Sequence, residues 1–180
     1  MLKPDQIQSL KPKFRVMQII CGALVIGPIV AGVLLFVMRD PPRIVQEIDL
    51  LAIIIATFAV TIFIAAPIAG MLHLKNLVAD LENKEGQKLA SGRSSSTDDA
   101  LAEQKWLDSL LGAMQTSTIV RAAMIEGGTQ ASILVWLLNG SALLLGTFGL
   151  GIALLMLFFP TEGRITAKLE DLQSTTRRNR

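Results

Sequence analysis

Glu126 and Gln130 stand four residues apart in a stretch nearly free of charge, with Thr129 between them and Arg121 five residues before Glu126. Four residues is about one helical turn, so Glu126 and Gln130 share a face, and Ala122 lies one turn earlier on it. Arg121 is rotated about 140° around the same helix and does not face the carboxylate. If this helix enters a membrane near Ser117, Glu126 lies roughly 13 Å deep. An ionised carboxylate there is costly, so Glu126 is expected to be neutral or paired. Two chemistries suit it. One is a proton relay or ion site. The other is an interhelical hydrogen bond, with Thr57, Thr61, Ser141, Thr147 or the same residues of another subunit as partner. With one acid and no second intramembrane carboxylate, the structural role is the expected one. Arg121 sits near the helix end and is placed to snorkel toward the interface.

Little else in the chain supports chemistry. There is one cysteine, Cys21, and one histidine, His73, so an internal disulfide and a Cys- or His-rich metal cluster are excluded. No paired carboxylates, His-centred set or nucleophile motif appears, and neither an enzyme nor a cofactor is expected. A net charge of +2 is too small to argue for nucleic acid.

The elements that hold these residues are apolar. Hydrophobic residues make up 51% of the 180 and collect in long runs separated by short polar segments, a pattern that makes the lipid bilayer the partner. A span needs about 20 residues. Val16 to Met38 is the first, read as a retained anchor because it is longer than a signal-peptide core. The prolines of Arg39-Asp40-Pro41-Pro42-Arg43 end it. Leu50 to Leu74 is the second span. Pro28 and Pro67 lie inside these spans and are expected to kink them. One helix from Ile119 to Phe159 would be about 60 Å long, twice the membrane, so two spans are needed. The turn-forming Asn139-Gly140-Ser141 separates Ser117–Leu138 from Ala142–Phe159 and leaves Trp136 at an interface.

Basic residues support this count. Lys3, Lys11, Lys13 and Arg15 precede the first span. Lys75, Lys84, Lys88, Arg93 and Lys105 lie between the second and third, and Arg164, Lys168, Arg177, Arg178 and Arg180 follow the fourth. Four spans put all three groups on one side, as the positive-inside rule requires, with both termini cytoplasmic. The expected fold is an all-α integral membrane protein of four transmembrane helices in two hairpins. Its segments are a cytoplasmic N-terminus at 1–15, a hairpin at 16–74, a cytoplasmic linker at 75–115, a second hairpin at 116–159 and a cytoplasmic tail at 160–180.

The polar segments carry amphipathic stripes. Leu74, Leu77, Val78 and Leu81 extend the second span as an amphipathic helix. Ser91–Ser96 reads as a flexible linker. Ser96 or Thr97 then opens a helix with Leu107, Leu110, Leu111 and Met114 on one face and Trp106 beside it, placed along the membrane surface. Thr161 caps a last helix bearing Ile165, Leu169 and Leu172. These stripes suit a partner's docking site or packing on the bundle's own end, and packing is the expected use. The polar stretch from about Lys75 to Gln115 is too short to bury a core alone.

An offset of 100 residues pairs Ala23, Gly27 and Ala31 with Ala123, Gly127 and Ala131. Both sets are small-residue ladders that let helices approach closely, within one chain or between copies. The echo also pairs Phe36 with Trp136 and Cys21 with Arg121. Duplicated hairpins and the chance likeness of apolar helices both account for it.

Gln115–Gly127, the run to Leu137-Leu138-Asn139-Gly140, and Phe159-Pro160-Thr161-Glu162-Gly163-Arg164 resemble a group of small bacterial four-span membrane proteins that carries no known activity. The resemblance covers most of the chain and implies a bacterial inner membrane location. Ala122–Gly127 also resembles the ion-carrying helix of the proteolipid subunit of rotary ATP synthases, which would put the ion on Glu126. That likeness covers about 20 residues. The family's Gly-repeat first helix is missing, and Thr129 and Gln130 stand where apolar residues are expected. It is read as shared helix-packing chemistry. The expected function is that of a non-enzymatic protein that self-associates or joins another membrane protein, with ion relay through Glu126 as the alternative.

Overall fold

A computed structural model describes the backbone of residues 4–38, 49–90 and 96–178, and the side chains within these except at 4–7, 9, 81, 82, 84–90, 96–103, 173 and 175–178. The Arg39–Arg43 loop and most of the Ser91–Ser96 linker lie outside the described residues. Among the described residues every element is a helix: α1 (Pro4–Met38), α2 (Leu50–Ala90), α3 (Ser96–Asn139), α4 (Ala142–Leu157) and α5 (Glu162–Arg178).

Two helical stretches, Leu10–Met38 and Leu50–Asp80, are long and apolar enough to cross a membrane. The chain is thus a membrane protein. The other two expected spans do not reach that standard alone. Arg121, Glu126 and Gln130 lower the apolar character of α3, and α4 has only 16 residues. The polar leads and the apolar runs are also not separate elements. α1 starts at Pro4 and continues through Pro28, and α2 runs through Pro67 to Ala90. The surface helix expected before the third span is the first half of α3, whose 44 residues extend about 66 Å. Continuity costs little here, because neither the Leu107–Met114 stretch nor the entry into the apolar run contains a proline to break the hydrogen-bond ladder.

The chain divides into two compact units. One, the polar-faced unit, comprises residues 1–18, 70–118 and 160–180. Its buried side chains include Leu10, Phe14, Met17, Leu74, Trp106, Leu107, Leu110, Leu111, Met114, Ile165 and Leu169. Lys11, Lys13, Arg15, Lys75, Lys105 and Lys168 are exposed. The stripes on α2, α3 and α5 are thus turned inward, although Leu77, Val78 and Leu172 are only half-buried and the side chain of Leu81 is outside the described residues. Lys75–Gln115 does not build a core alone; it pools its apolar face with both termini. Ser117 Oγ donates to the Gly70 carbonyl, Gln18 Nε2 donates to the Pro160 carbonyl at 3.2 Å, and Lys13 pairs with Asp108 at 2.8 Å. Thr161 starts α5 through its carbonyl, which accepts from the Ile165 amide at 3.1 Å.

The other, the apolar unit, comprises residues 19–69 and 119–159. Its α3 segment packs antiparallel to α2 and to α4. Near one end Ala52, Ala56, Ile133, Trp136 and Leu144 cluster; further along, Ala59, Phe63, Ala66, Ile125 and Leu155 do so. α1 runs parallel to α3, with Phe36 stacked on Trp136 at 5.7 Å. Trp136 is therefore enclosed among its neighbouring helices. The expected break lies at Asn139-Gly140-Ser141. Gly140 has φ 76°, a left-handed conformation that glycine adopts without a Cβ clash. The Asn139 side chain accepts from the Ser141 amide at 3.1 Å and donates to Asp49 at 3.3 Å. Asp49 in turn caps α2 by accepting from the Ala52 amide at 2.7 Å.

Candidate functional site

The candidate site lies within the apolar unit, where α3 meets α1. Gln130 Nε2 donates to Glu126 Oε1 at 2.9 Å, so the shared helical face is used within α3 itself. The same oxygen lies against α1: a methyl group on Gly27 would stand 3.4 Å from it. Gly27, singled out as part of a packing ladder, thus provides the close approach for the carboxylate. Glu126 Oε2 has no hydrogen-bond partner among the described residues.

The other candidates sit elsewhere. Thr129 is fully buried on a different face, donating to its own Ile125 carbonyl at 2.7 Å and packed where α4 comes closest, at Gly151. Arg121 does not meet Glu126; its guanidinium lies over the Phe158 ring, 5.2 Å from the centroid. Two of the expected hydroxyl partners are also engaged locally. Thr61 donates to the Thr57 carbonyl at 2.8 Å, and Thr147 to the Leu144 carbonyl at 3.0 Å. Ser141 Oγ is buried without a partner among the described residues.

The small-residue ladders are not used evenly. Ala23, Ala123 and Gly127 are exposed, and Ala31 and Ala131 are half-buried. A Cβ on Gly127 would meet nothing within 4 Å. The close helix approach on α3 is made one residue later, at Gly128, where a Cβ would lie 3.0 Å from the Phe63 ring. Ser132, one turn on, is buried and donates to the Gly128 carbonyl at 2.9 Å. Gly32 lets Phe148 of α4 reach α1, at 2.5 Å from a Cβ placed there. Gly128, Ser132 and Gly151 were not singled out from the sequence. A signal existed for two of them, since Gly128 and Ser132 are small residues four apart on one helical face. Cys21 is buried in the same unit as a free thiol.

No group of three His, Cys, Asp or Glu residues is placed to hold a metal among the described residues. What the arrangement can do is hydrogen-bond within the apolar phase and present one carboxylate oxygen to a partner or a proton. Fold and site together define a helical membrane protein. No family model, curated protein or solved structure matches the chain.

Proposed function

We propose that this is a four-span protein of the bacterial inner membrane, with both termini cytoplasmic, that works as a non-enzymatic oligomer or as an accessory subunit of a membrane assembly. The carrying observation is the state of Glu126. Its carboxyl is held by Gln130 of its own helix against Gly27 of α1. Hydroxyls of Thr61, Thr129, Ser132 and Thr147 are likewise spent on their own helices. Such bonding satisfies polar groups in lipid and leaves little free for catalysis. The four-span count is supported by the packing of the α3 segment antiparallel to α2 and α4 and parallel to α1. Its polarity is supported by the gathering of all three basic segments in one compact unit.

Single cysteines at Ser95, Asn139 and Thr175, in a Cys21→Ser background, test the topology. Only position 139 should react with an impermeant thiol reagent from outside intact cells. Labelling at 175 and not at 139 would mean three spans.

A second reading, ion or proton relay, is favoured by one feature. Glu126 is the sole acid of the described helical segments of the apolar unit, and its Oε2 is uncommitted. Glu126→Gln separates the two readings. In the structural role, glutamine keeps fold and assembly, while Glu126→Leu strands Gln130 and costs about 1–2 kcal/mol. A folded Glu126→Gln protein that loses its cellular effect, or its proton flux in liposomes, would select the relay.

A further inference from the structure

Among the described residues Arg121 has no counter-charge. It lies at the end of the α3 apolar segment opposite the Gly140 turn, two residues after Ile119. The Phe158 ring covers one face of its guanidinium. Its Nε is buried and has no hydrogen-bond partner among the described residues. It makes no ion pair with any described acid. The two described carboxylates of its own unit are engaged elsewhere, Asp49 at the Asn139 turn and Glu126 with Gln130. The neighbouring Val120 side chain is exposed, as lipid-facing positions are.

A guanidinium in this setting must still be compensated. In the four-span reading it lies about one turn inside the end of the α3 span, from where its side chain can snorkel to the phosphate layer. A planar guanidinium matches phosphate oxygens bidentately, and stacking on an aromatic ring fixes its orientation beforehand. We propose that Arg121, held by Phe158, is the recognition group for the phosphate of a membrane phospholipid. This rests on the four-span reading, which puts that end of α3 at the lipid headgroups. Of the two sources of phosphate oxygens, a lipid headgroup and free inorganic phosphate, lipid is favoured because the adjacent exposed side chain, Val120, is apolar.

The test uses full-length protein, purified in detergent and stripped of lipid. It is titrated with phosphatidylglycerol, with diacylglycerol of the same chains, and with inorganic phosphate, and binding is read by native mass spectrometry. Phosphatidylglycerol should bind and diacylglycerol should not. Arg121→Gln should weaken phosphatidylglycerol binding about tenfold or more. Arg121→Lys should keep part of the affinity, because it retains the charge and loses the fork. Phe158→Leu should cause a smaller loss than Arg121→Gln. Circular dichroism of each variant in the same detergent verifies folding. If Arg121→Gln does not fold, Arg121→Lys and Phe158→Leu carry the test, and full affinity in both would overturn the proposal. Unchanged binding by folded Arg121→Gln would overturn it as well. Inorganic phosphate that binds as tightly as the lipid would overturn the lipid assignment. Cysteine labelling reports the topology independently, so failure of the four-span reading and failure of Arg121 binding are told apart.

Discussion

The two units of this chain bury different mixtures of residues. In the polar-faced unit the inside is large and apolar, with Phe14, Trp106, Leu107, Leu110 and Leu111, and the outside carries lysines and arginines. In the apolar unit much of the inside is small, with Ala52, Ala59, Ala66, Gly128, Thr129, Ser132 and Gly151. Its outside is Ile19, Val37, Met38, Leu50 and Ile64. The difference follows from the solvent. Water drives large apolar side chains together because exposure costs roughly 25 cal/mol per Å². Lipid gives no such reward, so helices there associate through close backbone approach and satisfied polar groups. α1, α2 and α3 each contribute residues to both units, so a single helix obeys both rules in different stretches of its sequence.

Truncation should expose this contrast most strongly. Leu110 is 0% exposed in the polar-faced unit, and Leu138 is 77% exposed in the apolar unit. Leu110→Ala should cost about 2–5 kcal/mol, and Leu138→Ala under about 0.5 kcal/mol, in reversible unfolding in mixed micelles. Equal costs would mean that Leu138 is covered by a second copy or a partner.

The next effect comes from adding one methyl group. At Gly151 it would collide with Thr129 and stand 2.9 Å from the Phe63 ring, while at Gly127 it enters open space. Gly151→Ala should destabilise by about 1–3 kcal/mol, and Gly127→Ala should be neutral or stabilise by up to about 1 kcal/mol. A damaging Gly127→Ala with loss of assembly would place an intersubunit contact on that face. The smallest effect is electrostatic. Lys13 and Asp108 are both about half exposed, so a double-mutant cycle should give about 1 kcal/mol or less, falling further at high salt.

Some of this was legible in the sequence for definite reasons. The turn at Gly140 could be placed because a charge-poor run twice the membrane's thickness must reverse, and Asn-Gly-Ser tolerates a left-handed residue. The Glu126–Gln130 pair followed from helical spacing alone. The buried face of α3 did not. A helix apolar nearly all round carries no strong periodic signal, so nothing decided between Gly127 and Gly128 except the neighbours that Phe63 and Gly151 supply. Arg121 was correctly separated from Glu126 by angle, but its ring partner, Phe158, is 37 residues away in the chain and outside any local pattern. The pooling of both termini with the 70–118 segment was hidden for the same reason, since each piece alone is too short to imply a core.

The 16 residues of α4 have a further consequence for the surrounding bilayer. They rise about 24 Å, while the hydrocarbon layer is about 30 Å thick. Phe158, Phe159 and Pro160 follow at once, and Pro160 prevents the helix from lengthening to fill the gap. In the four-span arrangement the lipid beside α4 must therefore thin, whereas lipid beside α1 and α2 meets helices long enough for any cellular membrane. Each ångström of mismatch costs only a fraction of a kcal/mol. In that arrangement the strain would be relieved when two thinned patches merge, and the short helix would give neighbouring copies a reason to gather that involves no contact between protein side chains.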